Sequence, residues 1–96
     1  MDKVIINTCK DYINTNQNEE FKAYVYETII FPPEDYRIPY EYIFQKVYIH
    51  ACLKQNTILA TWLKDEIYTN YFDSIQKIGL RQTFSYGNYL LYKGNK

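Results

Sequence analysis

His50 and Cys52 are the residues in this chain whose types could build a nucleophile and its base. A thiol becomes reactive when a neighbouring imidazole or another positive group stabilises its thiolate. Residues two apart on a helix point away from each other, however, so this pair cannot share a proton. His50 reads as a structural histidine, partly exposed or hydrogen-bonded. It is the only histidine, and Cys9 and Cys52 are the only cysteines, so neither a metal-ligand spacing nor a redox motif is present. Both cysteines fall in apolar periodic stretches and are expected to be buried free thiols.

The carboxylate pairs Glu19-Glu20, Glu34-Asp35 and Asp65-Glu66 could supply an acid and a base. Adjacent side chains diverge on a helix, which makes solvated faces and helix-end charges the better account of the first and third. Gly79, Gly87 and Gly94 are dispersed and follow no strand, so no phosphate-cradling loop exists. No catalytic, cofactor-binding or metal-binding residue is expected, and the chain reads as a non-enzyme.

Glu34-Asp35 differs because it lies in FPPEDYRIPY, a proline-rich segment with aromatics and both charge signs. Such loops make contacts, and Phe31, Tyr36, Arg37 and Tyr40 are the expected partner-binding residues. The partner is expected to be another protein or a second copy, giving a homodimer. A basic and aromatic set, Lys77, Arg81, Phe84, Tyr86, Tyr89, Tyr92 and Lys93, makes weak binding of nucleic acid the alternative. Charge speaks against it: eleven Lys and Arg balance eleven Asp and Glu, and only residues 67–96, with four positive groups and one negative, are basic.

The elements that must position these residues are helical. Ile5, Cys9, Tyr12 and Ile13 recur at helical spacing over residues 2–13, with Asp2 as N-cap. Asn14 to Asn18 ends that helix, and Asn16 with Glu19 resembles a capping signal for the next, whose stripe is Phe21, Tyr24, Val25, Thr28 and Ile29. Pro32 and Pro33 stop it. Pro39 opens a third helix carrying Tyr40, Ile43, Phe44, Val47 and Ala51. Lys54 to Asn56 is a turn, Asn56 or Thr57 caps a fourth helix with Leu59, Trp62, Leu63, Glu66 and Ile67 along one side, and a loop this short forces an antiparallel hairpin. Asp73 with Gln76 caps a fifth helix running to about Thr83, its Ile75, Ile78 and Gly79 facing inward, and Ser85 caps a short sixth. The expectation is one all-α domain spanning residues 1–96, about six short helices as stacked antiparallel hairpins or a small helical bundle, its two-helix units falling roughly over residues 2–31, 40–70 and 73–92. Its 47% hydrophobic content and 12 tyrosines suffice for a core and leave rings for a surface.

The central stretch ACLKQNTILATWL, Ala51 to Leu63, resembles the helix pair of an ankyrin repeat, most of all the divergent ankyrin repeats of giant DNA viruses. Ala51 and Cys52 stand at the small pair ending the first helix, Asn56 at the histidine of the Gly-His turn, Leu59 and Ala60 at the apolar pair opening the second helix, and Trp62 and Leu63 at the pair further along. Gln55 replaces the turn glycine, Lys46, Val47, Tyr48 and Ile49 occupy the place of Thr-Pro-Leu-His, and DEIYTNYF stands where a Gly-Ala-Asp-Val-Asn loop would follow. The resemblance covers a single repeat unit and implies a protein-interaction role, as a small viral accessory protein in the cytoplasm of a host cell. No apolar run is long enough to span a bilayer and no apolar leader opens the chain, so a reducing, cytoplasmic setting without membrane contact is expected.

Overall fold

A computed structural model describes residues 2–31 and 40–94, and these form helices joined by short turns. The first hairpin joins α1 (Asp2–Asn14) to α2 (Asn18–Val25), which continues into a π-helical turn, Tyr26–Ile30. The second joins α3 (Tyr40–Leu53) to α4 (Thr57–Trp62), which continues through a π-helical turn, Leu63–Tyr68, into α5 (Thr69–Tyr71). Then come α6 (Ser74–Gly79) and α7 (Arg81–Gly94). No strand occurs among the described residues, and the fold is all-α. Residues 32–39, most of the expected proline loop, lie outside the described part.

The two hairpin turns are built alike. Asn16 and Gln55 adopt left-handed backbone with φ of 57° and 59°. The next residue in each case reaches back five positions, Gln17 N–H to the Tyr12 carbonyl and Asn56 N–H to the Ala51 carbonyl, both at 2.9 Å. This Schellman arrangement satisfies carbonyls that a helix end would otherwise leave unpaired. Asn16 therefore terminates α1 and does not cap α2; Gln17 holds the cap position of α2, with no side-chain hydrogen bond. Asn56 does cap α4, its Oδ1 accepting from Leu59 N–H at 3.0 Å.

The hairpins stack in parallel. Their turns lie at the same end, where Asn56 Nδ2 donates to Asn18 Oδ1 at 3.2 Å and His50 Nε2 lies 2.8 Å from Asn14 Oδ1. Further along the second layer, Trp62 packs edge-on against Phe21 and Tyr26, and the Tyr26 hydroxyl donates to Glu66 Oε1 at 3.2 Å. The two π-helical turns thus meet. Trp62 is half-buried in this contact, beneath Lys22.

Helix α7 joins α1 and α3 in the first layer, beside α3 and parallel to it. Phe84 packs on Phe44 and Tyr48, Gly87 lies against Tyr48 and Cys52, and the Leu90 carbonyl accepts from Gln55 Nε2 at 3.0 Å. A Cβ on Gly87 would stand 2.5 Å from the Tyr48 ring and 3.0 Å from Cys52 Sγ, so the absent side chain is what lets α7 approach. The core runs between the layers through Cys9, Ile13, Phe21, Ile43, Val47, Leu59, Leu63 and Ile67.

The expectations for residues 73–92 are corrected in their helix bounds, inward face, second cap and pairing. The capping box at Asp73 and Gln76 forms, but its helix ends at Gly79, and Ile75 and Ile78 are 81% and 63% exposed. What turns inward is the stripe Leu80, Thr83, Phe84 and Gly87, which requires a bend at Leu80 and a helix that starts at Arg81. Ser85 lies inside α7, exposed, and caps nothing. Residues 73–92 are consequently no hairpin like the other two: α6 is a short connector and α7 a third first-layer helix.

Candidate functional site

Setting α1, α3 and α7 side by side leaves a groove of about 460 Å³ on the face turned away from α2 and α4. Lys10 comes from α1; Gln45, Lys46, Ile49, His50 and Leu53 come from α3; Gln82, Thr83 and Tyr86 come from α7. On α3 these positions fall at 45, 46, 49, 50 and 53, one face of a helix whose opposite face, Ile43, Phe44, Val47, Ala51, is buried. Leu53 and Tyr86 are large side chains left 54% and 51% exposed. Ile49 is half-buried between them and the core.

The charged side chains of the groove are the cations Lys10 and Lys46, beside neutral Gln45, Gln82 and Thr83. His50 also lines the groove, and none of the described residues lining it carries a carboxylate. Lys46 is also held over the Tyr42 ring, with Nζ 5.6 Å from the ring centroid. Partial burial and the positive charges of Lys10 and Lys54 hold His50 below its ordinary pKa, so its neutral form dominates near pH 7. With the Asn14 amide oxygen facing Nε2, the ring proton sits on Nε2, and Asn14 fixes the ring at the groove wall.

The thiols take no part. Cys9 and Cys52 are free and buried. Burial pushes the Cys9 thiol up to about 12 and raises Cys52 against a lowering hydrogen bond from Tyr48. A thiol in such surroundings holds its proton at neutral pH and is a poor nucleophile. Among the described residues no group of three metal-ligating side chains forms, and no helix is long and apolar enough to cross a membrane.

Of the residues expected to bind a partner, Tyr36 and Arg37 lie outside the described part, as does the side chain of Tyr40. Phe31 is exposed and stacks on Tyr26, with Tyr71 edge-on to it. It stands at the π-helical end of the second layer, where Ile29, Ile30, Tyr71, Phe72 and Gln76 line a smaller pocket of about 200 Å³. The basic and aromatic set of the C-terminal third does not converge. Phe84 is buried against Tyr68, and Lys77 Nζ donates to the Thr69 carbonyl, whereas Tyr86 and Tyr89 stack in the open. The groove residues were not signalled as a group by the sequence. Lys46, Ile49 and Leu53 share a helical face, but only the neighbours of α3 reveal that Lys10 and Tyr86 flank it.

The chain matches no family model, no curated protein and no solved structure.

Proposed function

We propose that this chain is a non-enzymatic protein-interaction module that holds its partner in the groove between α1, α3 and α7. The observation that carries the reading is a concave surface lined by exposed Leu53 and Tyr86 together with Lys10 and Lys46. Apolar anchors in a recess with polar groups around them are the usual anatomy of a protein contact. The deprotonation-resistant thiols and the neutral, hydrogen-bonded His50 support a binding role over a catalytic one. An ankyrin-like kinship of the two hairpins belongs to the same reading, supported by their shared turn geometry and parallel stacking. Phe31, propped on Tyr26 and Tyr71, offers a second contact surface.

Site-specific photo-cross-linking tests the reading. A benzophenone side chain at Leu53 should yield cross-links to another protein in a cell extract, and the same group at Ala23, exposed on α2, should not. Equal cross-linking from both positions, or products made only with nucleic acid or with a second copy, would contradict it.

A further inference from the structure

We propose that the groove takes an acidic segment of another protein, with carboxylates meeting Lys10 and Lys46 while interspersed apolar side chains settle on Ile49, Leu53 and Tyr86. This rests on the reading of the groove as a protein-contact site and adds the chemistry of the partner. Charge complementarity argues for it. The whole chain balances its charges, eleven against eleven, yet the described lining has cations without a carboxylate. Its sign therefore comes from placement. Asp11 on α1 and Glu41 on α3 stand outside the lining, and other acids are engaged elsewhere: Glu19 beside Lys22 on α2, Glu66 under the Tyr26 hydroxyl, Asp73 capping α6.

Parallel α1 and α3 bring two negative helix ends together, and cations in the last turn offset such ends. That explains Lys54, which directly follows the last residue of α3. It does not explain Lys46, which lies nearly two turns before Leu53, beyond the reach of the dipole effect. Lys46 is exposed, with its Nζ over the Tyr42 ring, and among the described residues neither it nor Lys10 forms an ion pair. Burial first, and then the charges of Lys10 and Lys54, depress His50 at the same wall. The apolar side chains in the lining favour a peptide with both carboxylates and hydrocarbon over a bare phosphate backbone.

Fluorescence anisotropy with a short labelled peptide alternating glutamate and leucine tests the proposal on the full chain. Its counterpart with glutamine for glutamate, and an oligothymidylate of equal length, serve as controls. The glutamate peptide should bind saturably, weaken as salt rises, and lose about tenfold or more in affinity with Lys10→Gln combined with Lys46→Gln, a change of about 1.4 kcal/mol. Both lysines lie at the surface, and an unchanged thermal melt certifies that the variant folds. The ring resonances of the sole histidine, His50, should move on binding. Equal affinity for the glutamine peptide, an unmoved His50, or tighter binding of the oligothymidylate would overturn the proposal. So would solution mass that doubles without peptide and returns to monomer in the double variant, because a second copy would then fill the groove. Failure here alongside Leu53-specific protein cross-links would remove only the acidic chemistry; loss of both would remove the parent reading.

Discussion

Asn16 and Gln55 occupy backbone that costs an L-residue roughly 1–2 kcal/mol, with asparagine among the least penalised. Their situations differ. No side-chain bond is recorded for Asn16, whereas Gln55 Nε2 ties the turn to the carbonyls of Cys52 and Leu90. Asn16→Gly should therefore raise stability by up to about 1 kcal/mol in a denaturant titration, and Gln55→Gly should gain less or nothing because it also cuts the link to α7. A second residue-scale expectation concerns acid. The folded state holds His50 below its ordinary pKa, so the unfolded chain binds the proton more readily. The stability this confers is present above about pH 6.5 and is lost as pH falls through the depressed folded value. Melting curves from pH 7.5 to 5 should show a decline that is shallower in His50→Gln. The thiols supply a third: with Cys9 pushed up to about 12 and Cys52 also raised, a thiol reagent at neutral pH should label both only as fast as the protein opens.

Among the elements, α7 separates propensity from packing. Helix propensity alone makes Gly87→Ala stabilising by about 1 kcal/mol. The Cβ would land 2.5 Å from the buried Tyr48 ring, and overpacking of this kind costs about 1–3 kcal/mol. Packing should win, so Gly87→Ala should lower the melting temperature, and Tyr48→Leu in the same chain should recover part of the loss. Asn56→Ala should cost about 1 kcal/mol through the lost cap, with a further loss from the Asn18 bridge. The first four helices were legible because their buried positions, such as Phe21, Val25 and Ile29, are apolar residues at helical spacing. The start of α6 was legible too, in its Asp73 cap, but its end and the course of α7 were not. The inward stripe of α7 contains Thr83 and Gly87, which look polar and permissive, while Ile75 and Ile78 advertise a core they do not enter. The π-helical turns were equally silent, since Tyr26–Ile30 and Leu63–Tyr68 carry no proline or glycine to mark them.

At the scale of the whole molecule, two hairpins and one added helix make two layers within 45 × 31 × 21 Å. The all-α class and the central hairpin were readable from sequence, because both depend on local periodicity and a short turn. The groove was not, since it belongs to no single element. Lys10 and Tyr86 become neighbours of Ile49 only once α1 and α7 lie parallel to α3 on either side of it. Everything proposed for the surface rests on that arrangement. Nuclear Overhauser spectroscopy tests it directly, with reporters that are easy to assign: the sole histidine and a glycine. The account expects close contacts between the Gly87 α-protons and the Tyr48 ring, and between the His50 ring and the Asn14 side chain, in the same sample. Gly87 close to α1, or His50 without contact to Asn14, would mean that the three helices are not ordered this way and that the groove does not exist.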